Sequence, residues 1–484
     1  MMTPVQTHLW TAEEAAAATA GRAMGDWRAD GVSIDSRTVK PGDLFVAIKG
    51  PRHDGHKFAN EALVAGAVAV MVQPKRAKLP NGAPCLQVAN TQYALEDLGR
   101  AARDRAAARV IAVTGSVGKT GTKEALCFVL EDQGETVASE GSLNNQWGVP
   151  LSLARIPVDA AFAVIEIGMN HPGEITPLAK MVRPHVAVIT TVEAVHSAYF
   201  DSVDEIADAK AEIFWGLEDG GTAVLNRDNA HYERLAAMAQ EAGVGTIVGF
   251  GAHRDAQVRL IDAQFDAEGS DIKAAVLGDE VAYRLNVGGR HWAINSLAVL
   301  AAVAAAGGDA KAAAKALGGM RALKGRGRRH SVEMAAGSFT VIDESYNASP
   351  ASMTAAIDVL GTVSPDRGGR RIAVLGDMLE LGADSDRHHA ALAETLSRNK
   401  VELVFACGTF MKALWEVLPA AMHGAFAKDA VELLPQVTAA VRPGDVVVVK
   451  GSAGSNTAPI VEALLDLGAC CDAAPDERDW AANG

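Results

Sequence analysis

Short apolar runs, each followed by turn residues and a helix-forming stretch, recur along most of the chain. In the first hundred residues, runs at 43–48 and 67–72 flank a helical stretch at 58–66 and predict a small α/β unit. The Ala- and Arg-rich stretch 91–109 predicts a surface helix leading out of it. A second set of runs lies at 110–113, 162–167, 186–190 and 222–225. These are continuous rather than alternating, the pattern of strands in a mostly parallel sheet covered on both faces. Residues 296–317 are almost all Ala, Val and Leu and predict one or two packed helices, ending at Gly318-Gly319 and a basic stretch, 321–330. A third set, at 339–342, 371–375, 402–405 and 445–449, repeats the alternation and predicts a second doubly wound unit.

The pattern therefore predicts an α/β protein of three domains. Residues 1–107 form a small N-terminal α/β domain, 108–330 a central doubly wound parallel sheet, and 331–467 a C-terminal Rossmann-like domain. Residues 468–484 lack periodicity and are expected to be disordered. The length of 484 residues fits this division at roughly 100–200 residues per domain.

Composition narrows the partners. With 45 Lys and Arg against 59 Asp and Glu, the net charge is −14. Such a chain lacks the broad positive field of non-specific nucleic-acid binding, so a phosphate-bearing partner must be met by a local cluster. Five cysteines without CxxC spacing fit a reducing compartment. Residues 1–14 lack a basic region followed by an apolar core, and the longest apolar run, 297–306, is about half a membrane span. A cytoplasmic protein without membrane insertion is expected.

The strongest chemical signal is Thr114-Gly115-Ser116-Val117-Gly118-Lys119-Thr120, between an apolar run and a helix. Glycines let backbone N–H groups close around phosphate oxygens at the positive end of a helix, Lys119 can reach the β- and γ-phosphates, and the Thr120 hydroxyl can ligate Mg²⁺. The common Walker spacing would place a further glycine where this chain has Val113. Glu166 is a carboxylate within an apolar run, where ionisation calls for a cation or hydrogen-bond donors. His196 follows the run at 186–190, in a loop that serves either structure or a site. Lys210 lies at helical spacing in a stretch that also suits a solvated lysine. The basic turn around Arg326 is either a solvated surface or a phosphate clamp. In Asp343-Glu344-Ser345-Tyr346-Asn347-Ala348-Ser349-Pro350, Ser349 and Pro350 have the types of an N-cap and a first helical residue. Gly376-Asp377-Met378-Leu379-Glu380-Leu381-Gly382 and Lys450-Gly451-Ser452 also follow apolar runs.

Taken in order, over about residues 30–465, these segments resemble the Mur ligases, the ATP-dependent amide-forming enzymes of bacterial cell-wall precursor synthesis. The stretch 114–120 is similar to that family's phosphate loop, which lacks the extra glycine. Asp35-Ser36-Arg37, Asp54-Gly55-His56, Ser142-Leu143-Asn144-Asn145 with Gly148-Val149-Pro150, and the motifs at 343–350 and 376–382 resemble one branch. That branch joins D-alanyl-D-alanine to UDP-N-acetylmuramoyl tripeptide through an acyl phosphate. The alternatives are a neighbouring ligase that adds a single amino acid, or a P-loop NTPase or phosphotransferase. The chain departs from the family pattern in its approach to His196, at Glu344 and at Ser349.

The resemblance implies ATP as co-substrate and Mg²⁺. Thr120 and Glu166 would hold one ion, and His196 and a carbamylated Lys210 would belong to the second metal site, with Lys119 beside them as a catalytic group. It implies adenine, phosphate and ribose contacts at Asn295, Arg326 and Asp343, with Glu344 the alternative to Asp343. Ser36 and Arg37 would meet the uridine nucleotide in the first domain, and Asn144 and Asn145 the muramoyl-peptide side. Tyr346 and Asn347 would add substrate contacts from a third domain that closes over the nucleotide. A monomer is implied.

Overall fold

Each set of apolar runs forms its own sheet in a computed structural model that describes residues 8–51, 53–194, 199–266, 268–366 and 368–468. Most of the expected tail lies outside the described residues. The first unit contains β1 (Trp10–Thr11), β2 (Arg22–Met24), β3 (Arg28–Ala29), β4 (Gly31–Ser33), β5 (Asp43–Val46), β6 (Ala69–Val72) and β7 (Cys85–Gln87). β1 pairs with β3, and the others form a sheet in the order β2-β7-β6-β5-β4. β5 and β6 are buried at every position, as their unbroken apolar runs require.

The helix Thr91–Arg105 leads out of this unit. Asn90 caps it, its side-chain oxygen accepting from the backbone N–H of Gln92 at 2.8 Å and of Tyr93 at 3.3 Å. It stops short of the predicted 109, because Ala106 turns extended and Arg109 opens the next sheet. Its buried face packs on the helix Gly148–Ala154, and a Cβ at Gly99 would sit 3.0 Å from the Pro150 carbonyl. Trp10 Nε1 donates to the Ala154 carbonyl at 2.8 Å, so the first unit is bonded directly to the second.

The second sheet comprises β8 (Arg109–Thr114), β9 (Thr136–Ala138), β10 (Phe162–Glu166), β11 (Val186–Ile189), β12 (Thr222–Asn226), β13 (Thr246–Gly251), β14 (Val258–Phe265), β15 (Ser270–Val276) and β16 (Asp279–Leu285). Its order is β16-β15-β14-β13-β12-β11-β8-β10-β9, parallel from β9 to β14 and antiparallel through β14-β15-β16. The Ala-rich stretch forms two helices, Arg290–Ala305 and Ala310–Ala316, broken at Gly307-Gly308 and restarted by Asp309 as N-cap. The first begins six residues before the predicted start, which brings Asn295 inside it.

The third sheet comprises β17 (Arg328–Met334), β18 (Gly337–Glu344), β19 (Arg371–Gly376), β20 (Leu403–Cys407), β21 (His423–Ala427) and β22 (Val446–Lys450), in the order β17-β18-β22-β19-β20-β21. β17 and β18 form an antiparallel hairpin and the other pairings are parallel. The basic residues Arg328 to His330 thus pair in the third sheet.

Two of the sequence motifs serve the fold. His56 is buried, its Nδ1 facing Asp54 Oδ1 at 2.6 Å while Nε2 accepts the Gln73 N–H at 3.0 Å. Asp377 accepts from the backbone N–H groups of Thr409, Phe410 and Met411 at the start of the helix Met411–Val417. Among the described residues no helix is long and apolar enough to cross a membrane. Cys85, Cys127 and Cys407 are buried free thiols.

Candidate active site

An interior strand of the second sheet, between β11 and β10, delivers the phosphate loop. β8 ends at buried Thr114, and the chain then turns through Gly115 (φ +145°) and Gly118 (φ +87°) into the helix Lys119–Glu131. Both glycines are required by more than φ. A Cβ at Gly115 would overlap Thr190 Oγ1, and one at Gly118 would sit 2.8 Å from Asn295 Nδ2. The loop is bonded to the end of β11: Ser116 N–H donates to the Thr191 carbonyl at 2.8 Å, and Thr190 Oγ1 donates to the Val117 carbonyl at 2.6 Å. Gly115→Ala is therefore expected to destabilise the protein by about 1–3 kcal/mol, read as a lowered urea midpoint with an unchanged slope. An unchanged midpoint would refute this packing.

Lys119 folds back over the loop, donating to the Gly115 carbonyl at 2.7 Å and the Ser116 carbonyl at 3.4 Å. Burial lowers its pKa below the ordinary lysine value, the Glu166 carboxylate opposes that shift, and the Arg326 guanidinium adds to it.

Glu166 ends β10, which lies beside β8 with Glu166 in register with Val113. Its side chain is 1% exposed. Oε1 accepts from Asn144 Nδ2 at 2.7 Å, while Oε2 is buried without a partner. An orphaned carboxylate oxygen beside a phosphate loop that also offers the Thr120 hydroxyl is an all-oxygen donor set, suited to a hard cation such as Mg²⁺. No cluster of three His, Cys, Asp or Glu stands ready to hold a metal among the described residues, so phosphate and water oxygens would complete the shell. Lys210 lies buried in the helix Val203–Ala211 and does not line the cleft. Burial, and then the Lys119 ammonium, push its pKa well below that of an ordinary lysine. His196 lies outside the described residues.

The third unit faces this loop across a cleft of ≈ 1400 Å³. Arg326 Nη2 donates to Thr120 Oγ1 at 3.1 Å, and its guanidinium lies 4.0 Å over the Tyr346 ring. The Tyr346 hydroxyl donates to Ser142 Oγ at 2.5 Å. Asn144, Asn145, Asn295, Tyr346 and Asn347 all line the cleft. Asn145 has a local task as well, its Oδ1 accepting from Trp147 and Gly148 N–H at the start of the helix Gly148–Ala154.

Asp343 sits apart from the site residues that line the cleft. It is 1% exposed and lies outside the cleft lining. Oδ2 accepts the Gly325 N–H at 2.7 Å, and Oδ1 accepts from Ser345 N–H at 3.1 Å and Ser345 Oγ at 2.6 Å. One oxygen holds the turn that presents Arg326 and the other holds Ser345 just after β18. The neighbouring Glu344 does line the cleft. It pairs at 3.4 Å with Lys450, which also donates to the Asn347 carbonyl at 2.8 Å. Burial raises the Glu344 pKa and lowers that of Lys450, each opposed by its partner's charge.

Ser36 and Arg37 do not reach this cleft. Arg37 is 85% exposed and pairs with Asp35, its Nη2 at 2.5 Å from Oδ2. The first unit contributes Glu96 and Arg100 to the cleft instead. The sequence pattern also left out Asn226 and Asn229, which pin the loop after β11: Asn226 Nδ2 donates to the Thr190 carbonyl at 3.1 Å, and Asn229 Nδ2 to Thr191 Oγ1 at 3.0 Å. Their signal is a cluster of polar residues directly after the apolar run of β12.

Three family descriptions match the chain in order: "Mur ligase family, catalytic domain" over residues 28–109, "Mur ligase middle domain" over 113–303, and "Mur ligase, glutamate ligase domain" over 325–453. The UDP-N-acetylmuramoyl-tripeptide–D-alanyl-D-alanine ligase of Rickettsia prowazekii is 33% identical over 431 residues, 89% of this chain and 94% of that protein. A crystal structure of MurF from Acinetobacter baumannii superposes with a TM-score of 0.80 at 29% identity, covering 94% of this chain and 99% of that one. The MurF ligase of Thermotoga maritima, solved in complex with ADP, superposes with a TM-score of 0.74 at 26% identity over 90% and 97% of the two chains. With the phosphate loop, the carboxylate of β10 and the arginine of the third unit in one cleft, and with similarity along nearly the whole length, the chain belongs to the Mur ligase family, on its MurF branch.

Proposed function

We propose that the chain joins D-alanyl-D-alanine to UDP-N-acetylmuramoyl tripeptide at the expense of ATP, in peptidoglycan precursor synthesis. The observation that carries this is the convergence of Lys119, Glu166 and Arg326, from two units, on a cleft that a third unit also walls. ATP hydrolysis alone needs neither the first nor the third unit.

The chemistry follows from making an amide out of an unactivated carboxylate. The tripeptide's terminal carboxylate attacks the γ-phosphorus of ATP and ADP leaves, giving an acyl phosphate. The free amine of the dipeptide then adds to the acyl carbon, and phosphate departs with the C–O bonding pair as the nitrogen loses a proton. The first step brings anions together, so the site must supply positive charge in fixed positions. Lys119 and the N–H groups at the start of the helix Lys119–Glu131 supply it from the loop, and Arg326 from the opposite wall. Mg²⁺, when bound, neutralises phosphate charge, and Thr120 and Glu166 would hold it. Asn295 is assigned to the adenine and Glu344, rather than Asp343, to the ribose. Asn144, Asn145, Tyr346 and Asn347 are assigned to the muramoyl peptide and the incoming dipeptide.

The domain assignment that goes with this gives the uridine nucleotide to residues 1–107, through Ser36 and Arg37, and ATP to the unit expected at 108–330. The third unit, expected at 331–467 but taking in Arg326 and β17 as well, receives the dipeptide. Action as a monomer goes with this assignment, and the buried free thiols among the described residues support a cytoplasmic setting.

His196 and Lys210 are assigned to a second metal site. A lysine amine held neutral can add to CO₂ with loss of a proton, and the resulting carbamate presents an anion where an ammonium would repel a cation. Dialysis against bicarbonate-free buffer is expected to lower activity about tenfold or more, with recovery on adding bicarbonate. Full activity of Lys210→Ala would refute the carbamate.

The deciding assay measures phosphate release from ATP with Mg²⁺ and UDP-N-acetylmuramoyl tripeptide, with and without D-alanyl-D-alanine, followed by the mass of the nucleotide product. Release that requires the dipeptide, with a product heavier by the dipeptide residue, is the expected result. Equal use of a single amino acid, or phosphate release without acceptor, would overturn the assignment.

A further inference from the structure

A closed ring of contacts begins and ends on the phosphate-loop helix. Lys123 lies three residues beyond Thr120 on that helix and is 0% exposed, away from the cleft lining. Its Nζ donates to the Ser139 carbonyl at 2.5 Å and the Gly141 carbonyl at 3.1 Å, and is paired with the Glu124 carboxylate. A buried ammonium is tolerated only where it is fully partnered, and carbonyls just past the end of a strand need donors from elsewhere. Lys123 and the segment 139–141 meet both needs at once.

That segment continues into the cleft. Ser142 Oγ accepts the hydroxyl of Tyr346, from the third unit. The Tyr346 ring carries the Arg326 guanidinium at 4.0 Å, and Arg326 bonds back to Thr120. Ser139 has a second duty, its Oγ accepting the Glu166 N–H at 3.1 Å.

We infer that Lys123 is a positioning residue for the ligation reaction: it fixes Ser142 so that Tyr346 and Arg326 of the third unit dock on the phosphate loop. A lysine buried only for packing would affect stability and leave turnover of the folded enzyme alone. A docking role predicts that turnover falls much further than nucleotide affinity, because the phosphate loop and Asn295 still hold ATP without Lys123 while the opposite wall is misplaced for the transition state. It also predicts that the effect travels through Tyr346. The inference rests on the ligase function proposed above.

The test is a double-mutant cycle on the full chain, with ligation kinetics and the Kd of Mg-ATP by calorimetry. Lys123→Met is expected to lower kcat about tenfold or more with the Kd for Mg-ATP within about threefold of wild type, and on a Tyr346→Phe background to lower kcat less than about twofold further. Should Lys123→Met fail to fold, Lys123→Gln, which keeps amide donors for the carbonyls, is held to the same three criteria. A kcat within about threefold of wild type, ATP affinity lost in step with kcat, or costs that multiply across the cycle would each overturn the inference. The last of these outcomes would point to the path through Ser139 and Glu166. A wild-type enzyme that does not ligate would overturn the function itself, whereas an active wild type with variants outside the criteria overturns only the role of Lys123.

Discussion

Lys119→Met is expected to lower kcat for ligation by about 10³-fold while leaving a folded protein that still binds UDP-N-acetylmuramoyl tripeptide. The attacking carboxylate and the γ-phosphate are both anions, and their approach is the step that most needs a fixed positive charge. Lys119 is placed for it at the first turn of the helix Lys119–Glu131, where the backbone N–H groups also point at the phosphates. Its present partners, the carbonyls of Gly115 and Ser116, are its own loop's backbone, which nucleotide phosphates would outcompete. Ser116 borders the cleft but Gly115 is buried, so removing the ammonium strips a buried carbonyl of its donor and is expected to cost about 1–3 kcal/mol of stability. Single-turnover phosphate release and a urea titration check both halves. A kcat within about tenfold of wild type would mean that Arg326 and the backbone suffice.

How much of this was legible in the sequence depends on whether the relevant contacts are local. The parallel strands were legible because both faces are covered and their runs are continuously apolar, as in β10 and β22, buried at every position. β15 was not, because one face meets water: Asp271 and Lys273 alternate with buried Ser270, Ile272 and Ala274, and so weak an apolar run does not stand out. The phosphate loop was legible for the opposite reason, since its glycines, lysine and threonine act within seven consecutive residues. Asp343 and Glu344 mark the limit. They are adjacent carboxylates at the end of one strand, and only tertiary structure decides that one holds the Gly325 turn and the other lines the cleft. Glu96 and Arg100 belong to the same class, joining the site through packing between units, which no local spacing encodes; Asn226 and Asn229 join it within the second sheet, at and just past the end of β12.

Glu166→Gln should separate function from stability in the opposite sense to most buried substitutions. The carboxylate is buried, with one oxygen bonded to Asn144 and the other without a partner, an arrangement that is unfavourable until a cation fills it. The amide is nearly isosteric, can still accept from Asn144, and removes the charge of a buried carboxylate one of whose oxygens has no donor. The melting temperature of the metal-free protein is therefore expected to stay level or rise, while kcat falls about 10²–10³-fold and half-saturating Mg²⁺ rises about tenfold or more. A second consequence concerns Lys119, whose pKa the Glu166 anion holds up against burial and Arg326. Without that anion the ammonium loses its proton at lower pH, so the alkaline limb of the pH–rate profile should move toward neutrality. Calorimetric melting with and without Mg²⁺, together with pH–rate profiles of both proteins, tests the whole chain of reasoning. A clear fall in melting temperature combined with unchanged Mg²⁺ dependence would show that Glu166 is held by the fold for the fold, and the cation would have to be sought elsewhere in the cleft.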